Sequence, residues 1–377
     1  MSRLKSFRVY FVLSILLILL IVILLREHRP SFLRPDLHLN AYISTGDGSI
    51  TVLDLANLRV LQKISVGPGI ADIREHAKRP EIWGVCSTGG YVWVLDARTS
   101  QISSRIPVGP LPFSIDFSPA GDRVYTTSSV SDQLLAIDVP SRSIIGRAKT
   151  GSEPVQARAT PDKKLILVVN RRAATLGIHD AATLQQRVAV PVIRQPDEVA
   201  VLPDNSIAFV MSRSEKRLSV VDLLRGVLIT NLELAGKPTQ ILVKPDGGEL
   251  YVISPEAHGL QVVNTWTHEM GDYMLLGSTP TNALISADSG RMYVADSAAS
   301  RVIPVDISNR RIDKPINVGA TPAAMRFDTS DPSTRPTMLL VLNESSGDLA
   351  IIRTRTDSLL TVIPIGPHPS RLAIKLF

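Results

Sequence analysis

The segment ADIREHAKRP at 71–80 sets Glu75 between Arg74 and His76, with Lys78 close by. A carboxylate in that company serves as a general acid if burial raises its pKa, or as one arm of an ion pair. Further charged side chains return at intervals of 42 residues. One series reads Asp72, Ser114, Gln156, Glu198, Gln240, Asn282 and Ala324, then Arg371; a second reads Arg74, Asp116, Arg158, Ala200, Leu242, Leu284 and Arg326, then Ala373. Arg74, Arg158, Arg326 and Arg371 are suited to gripping an anionic ligand, with Asp116 and Glu198 orienting it or moving protons. A separate basic cluster, Arg171 and Arg172 in NRRAAT with Arg213, Lys216 and Arg217 in SRSEKR, is suited to an acidic partner or anionic lipid. It has no interleaved aromatic residue to stack on bases, so nucleic acid is not expected. The sequence has no GxSxG, CxxC, HExxH, GxGxxG or P-loop, and its seven histidines form no pair at metal-ligand spacing. No metal or cofactor is therefore expected, and the lone Cys86 excludes an intrachain disulfide.

The elements that must position these residues divide the chain in two. Residues 1–34 hold six basic side chains and one acid, which accounts for +5 of the formal charge of +6. The remainder is nearly neutral, which excludes a general polyanion-binding surface. Residues 1–8 form a short basic tail. Residues 9–25, VYFVLSILLILLIVILL, carry no charge and as a helix would span about 25 Å, near the lower limit for a bilayer core. No small-residue cleavage site follows, so the segment is expected to be an uncleaved transmembrane signal-anchor with the N-terminus in the cytoplasm. A linker, 26–40, then leads to a domain expected at 41–377, placed in the periplasm or outside the cell.

That domain repeats. Asp54, Asp96, Asp138, Asp180, Asp222, Asn264 and Asp306 are spaced by 42, as are Pro112, Pro154, Pro196, Pro238, Pro280 and Pro322. A column of Gly67, Gly109, Gly151, Gly277 and Gly319 has the same period, and a five-residue insertion near Asp331 to Pro336 shifts the last row. Each row contains four short apolar runs separated by turn residues, the pattern of a propeller blade. The recurring Asp is expected to bond its own backbone between the third and fourth strands, with Gly and Pro supplying the special φ values of the next turn. Two residues break apolar columns. Glu75 stands with Phe117, Ala159, Val201, Val243, Ile285, Phe327 and Ile374, either as a buried acid or on a strand bulged toward water. His179 stands with Leu53, Leu95, Ile137, Val221, Val263, Val305 and Ile352, as a satisfied core residue.

The rows SPAGDRVYTTS, TPDKKLILVVN, KPDGGELYVIS and SADSGRMYVAD resemble the YVTN-type β-propeller repeat over about 335 residues. Such propellers are commonly seven-bladed, which is the alternative here, but eight third strands can be counted. The expected fold is therefore all-β, an eight-bladed β-propeller of four-stranded antiparallel blades, with a C-terminal strand at 370–376 completing the first blade. The reading that follows is a membrane-tethered, non-catalytic recognition or scaffold module for a protein, glycan or small ligand. The resemblance also implies an alternative, because similar propellers include lactonases: an enzyme or ligand sensor at the ring centre, with lactone hydrolysis the first candidate reaction.

Overall fold

Four short apolar runs per row, each too short to bury its own surface, must pair edge to edge and stack face to face. The computed structural model describes residues 38–329 and 335–377. Among these residues the rows form eight antiparallel sheets. Seven are simple meanders; blade 2, for example, runs through Ile70–Glu75, Glu81–Cys86, Tyr91–Asp96 and Gln101–Pro107. Blade 1 draws on both ends of the domain. Its innermost strand, Arg371–Leu376, pairs antiparallel with Leu39–Thr45, placing Ala41 opposite Ile374. Ser49–Asp54 and Arg59–Ser65 complete it. Among the described residues no helix is long and apolar enough to cross a membrane; the expected anchor at 9–25 lies outside them.

The core is divided among the blade interfaces. Each of eight apolar clusters straddles two successive blades: Trp83 and Val94 of blade 2 meet Ile115 and Leu135 of blade 3, and Leu340 and Leu349 of blade 8 meet Ala41 and Leu53 of blade 1. The second and third strands are covered on both faces, which explains their unbroken apolar runs; LILVVN at Leu165–Asn170 is buried at every position after the first. Outer strands such as Val227–Glu233 instead alternate between exposed and half-buried residues. In blade 7 the outer strand is split into Arg311–Ile312 and Ile316–Asn317. Pro315 between the pieces and Pro304 on the facing strand both lack the N–H a continuous ladder requires.

The Asp column closes the third-to-fourth turns. Asp222 Oδ1, for instance, accepts from the backbone N–H of Leu224 and Arg225, at 2.9 Å each. Four residues after each column member the chain enters the left-handed region, at Leu58, Ser100, Arg142, Leu184, Gly226, His268, Arg310 and Asp357. Only one of these is glycine, so the aspartate bonds, rather than glycine, hold this turn. Three interfaces carry a polar clamp. Glu81 on blade 2 accepts from Trp83 Nε1 at 3.0 Å and from Arg142 of blade 3 at 3.3 Å. Glu249, Tyr251 and Arg310 repeat this arrangement between blades 6 and 7. Arg291, Tyr293 and Asp357 repeat it between blades 7 and 8 with the charges exchanged.

Candidate functional site

The innermost strands bring the two polar series to the centre of the ring. Such a strand has no further strand on its inner edge, so backbone N–H groups there need other acceptors. The first series supplies them. Asp72 Oδ2 accepts from Ile115 N at 3.3 Å, Ser114 Oγ from Ala157 N at 3.4 Å, Gln156 Oε1 from Val199 N at 2.8 Å, and Gln240 Oε1 from Ala283 N at 2.6 Å. Asp116, from the second series, accepts from Ala159 N at 3.1 Å. Arg371 Nε donates to Ala71 O at 2.9 Å. In every case a side chain of one blade binds the backbone of the next, and in the five bonds that a side chain accepts, the acceptor precedes its donor by 43 residues. That spacing, one repeat plus one, was present in the sequence, but its meaning depended on knowing which edge faced the next blade.

The charged candidates separate into three groups. Arg326 of blade 8 is ion-paired with Glu75 of blade 2, past the intervening blade 1 strand, where the arginine column holds only Ala373. The Glu75 side chain is 11% exposed and its Oε2 has no hydrogen-bond partner. The strand therefore does not turn Glu75 toward water; its bulge, between Ile70 and Asp72, has counterparts on the innermost strands of blades 4, 7 and 8. Arg74 lies 3.5 Å from Asp72, whose charge, joined by those of Asp116 and Glu75, raises its affinity for the proton. Glu198 is different: burial raises its carboxyl above the ordinary range, against the opposing fields of Arg158, Arg213 and Arg74. Arg213 Nη2 is 3.6 Å from it, whereas the Arg158 guanidinium makes no hydrogen bond or ion pair with the described residues.

His76 and His179 are both structural. His76 Nε2 donates to Gly121 O at 2.7 Å, since its Nδ1 accepts from Lys78 N and Arg79 N, and burial pushes its pKa down. The fully buried His179 donates through Nδ1 to Leu184 O at 2.9 Å and is likewise depressed by burial. Among the described residues no group of three His, Cys, Asp or Glu side chains is placed to hold a metal ion.

The basic cluster between blades 4 and 5 is matched by acids. Arg171 pairs with Asp197 at 2.6 Å, Arg172 with Glu153 at 3.4 Å, Lys216 with Glu256 at 2.9 Å, and Arg217 with Glu233 at 3.4 Å. Arg213 N donates to Asp197 as well. Asp197, Glu153 and Glu256 come from other loops of the same face and Glu233 from the end of the adjacent outer strand, so the linear cluster overstated its positive charge. Two clefts open on that face. One of about 330 Å³ is lined by Glu153, Arg171, Arg172, Ala174, Arg194 and Gln195. The other, of about 520 Å³, is lined by His258, Leu275, Leu276, Gly277, Ser278 and Arg301.

One polar column escaped sequence reasoning. Ser44, Cys86, Ser128, Asn170, Ser212, Ser254, Asp296 and Asn343 lie within one residue of the ends of the second strands and are all buried. Ser128 Oγ donates to Pro110 O and Ser254 Oγ to Lys237 O, each at 3.0 Å, tying down the loop through which the chain enters the serine's own blade. Cys86 occupies a serine-like position there, and burial raises its thiol pKa.

A search of curated proteins gave no match. Among solved structures the chain resembles dihydro-heme d1 dehydrogenase NirN in complex with DHE, at 15% identity and TM-score 0.76 over 91% of this chain and 76% of that one. It also resembles apo AztD from Citrobacter koseri, at 11% identity and TM-score 0.68 over 90% and 98% of the two chains. A third is Kuenenia stuttgartiensis hydrazine synthase, at 17% identity and TM-score 0.60 over 77% and 97%. At these identities the likeness is one of fold. The family model described as YNCE-like beta-propeller matches residues 90–284, just over half of the sequence, and the chain belongs to that family.

Proposed function

We propose that the chain is a membrane-tethered, non-catalytic recognition or scaffold protein that displays a rigid eight-bladed ring outside the cytoplasm. Residues 9–25 are its signal-anchor, the N-terminus is cytoplasmic, and a protein, glycan or small ligand binds a loop face. The observation that carries this reading is the commitment of the central polar series to blade-to-blade hydrogen bonds. Side chains held in this way make a stiff frame, and frames of this kind display function on their loops. The two clefts on the face of the second-to-third turns give that display a location. The test is site-specific photocrosslinking in intact membranes, with the reactive residue at Arg172 or at Arg158. A discrete protein or glycan adduct from position 172 supports the proposal; adducts confined to position 158 refute it.

A second reading rests on Glu198 and Arg158. A carboxyl raised by burial beside a guanidinium without a hydrogen bond is the minimum equipment for a small anionic ligand at the ring centre, as a sensor or a lactonase-like hydrolase. This reading requires Glu198→Gln to abolish ligand-induced thermal stabilisation, and a wild-type response retained in that variant sinks it.

A further inference from the structure

The two most exposed large apolar side chains of the described residues are Leu224, 85% exposed, and Trp266, 77% exposed. They occupy one position of the repeat in adjacent blades, two residues after Asp222 and Asn264. Each backbone N–H is fixed at 2.9 Å by the side-chain oxygen of that residue. Blades 5 and 6 are joined by a shared apolar core that includes Leu218 and Leu250. In the other blades the same position holds Ala56, Arg98, Pro140, Ala182, Ser308 and Arg355, so the apolar pair is peculiar to this side of the ring.

These turns share a face with the entry of the chain. The first strand begins at Leu39, whose carbonyl accepts from Leu55 N, directly after Asp54 in the third-to-fourth turn of blade 1, at 2.9 Å. Both clefts lie among the second-to-third turns and the loops between blades, on the opposite face. Residues 26–38 can reach at most about 45 Å, so Leu39, where the chain enters this face, is within that distance of the end of the apolar run at 9–25. Tryptophan is the side chain that favours the headgroup region, and tethering makes even a weak apolar contact effective.

Resting on the tether reading above, we propose that the face bearing the third-to-fourth turns lies against the lipid bilayer, with Leu224 and Trp266 entering its headgroup region. The clefts are thereby turned away from the membrane, toward a partner.

The sequence has three tryptophans, and Trp83 and Trp93 are fully buried, so aqueous iodide reads Trp266 almost alone. The full chain is reconstituted into phosphatidylcholine/phosphatidylglycerol vesicles with and without brominated phosphatidylcholine. The expected result is brominated-lipid quenching of at least half of the Trp266 signal and a several-fold loss of iodide quenching relative to free indole. Trp266→Phe removes the lipid-quenched component, and Leu224→Asp restores iodide access. Full iodide quenching with no brominated-lipid effect overturns the proposal and transfers these two residues to a protein interface. Flotation after a carbonate wash separates the two failures: a chain that floats with a wet Trp266 refutes the docking alone, whereas one that does not float refutes the tether and the docking together.

Discussion

Replacing Glu75 by Leu puts an apolar residue into an apolar column, and a reading of that column alone predicts a more stable protein. The structure predicts the opposite. Glu75 is 11% exposed and ion-paired with Arg326, whose side chain is 29% exposed. Removing one partner of a buried ion pair costs about 3–5 kcal/mol, and partial hydration of Arg326 puts this case at the lower end. The new leucine returns about 1–2 kcal/mol through apolar burial. A second cation deepens the loss. Lys375, 7% exposed, donates to His76 O at 2.5 Å; burial lowers its pKa, and the charges of Glu75 and Glu81 oppose that shift. The net expectation for Glu75→Leu is a destabilisation of about 1–3 kcal/mol, or a fall of about 1–4 °C in Tm for a domain of this size. Arg326→Met alone is also expected to destabilise, since it strands Glu75, and the double variant is expected within about 1 kcal/mol of wild type, which gives a coupling energy of at least about 1 kcal/mol. Calorimetry on the four proteins of the cycle measures it. A single variant at or above the wild-type Tm, or a coupling below about 0.5 kcal/mol, refutes the reasoning.

Gln240→Ala leaves the N–H of Ala283, a residue only 2% exposed, without its acceptor and is expected to cost about 1–3 kcal/mol, whereas Arg158→Ala should stay within about 0.5 kcal/mol; urea midpoints distinguish them. His179 is depressed by burial, so below about pH 6.5 the unfolded chain binds a proton that the folded chain excludes, and the stability contribution present above that pH declines as pH falls. His179→Leu, which restores the apolar column, should flatten the loss between pH 7.5 and 5.5, and an unchanged slope would clear this residue of the effect. Cys86 should resist alkylation at pH 7.5 in the folded protein and tolerate Cys86→Ser within about 1 kcal/mol, because serine fills this position in four other blades; rapid labelling of native protein would show the thiol to be accessible.

The fold was legible because a propeller repeats its local chemistry. The Asp column at 42-residue spacing marks a turn that bonds its own backbone, an interaction within a few residues, and strand counts follow from local runs. The centre of the ring was less legible. Gln156 and Gln240 look alike as ligand donors or as lacing, and the difference depends on the N–H of a residue 43 positions away. Glu75 was recognised as an exception, but its partner Arg326 is 251 residues distant and two blades round the ring, where no periodicity relates them. The basic loops misled for a related reason. Arg171 and Lys216 are adjacent to other cations in sequence, while Asp197 and Glu256 reach them only through the stacking of blades.

The central claim is that the loop face, and not the ring centre, binds the partner. Native mass spectrometry of the full chain, extracted from whole cells in mild detergent, tests it most directly when wild type is compared with Arg172→Glu and with Glu198→Gln. The account predicts a bound protein or glycan that is lost from Arg172→Glu and retained by Glu198→Gln. A small molecule retained by Arg172→Glu and lost from Glu198→Gln would contradict it and place the function at the centre of the ring.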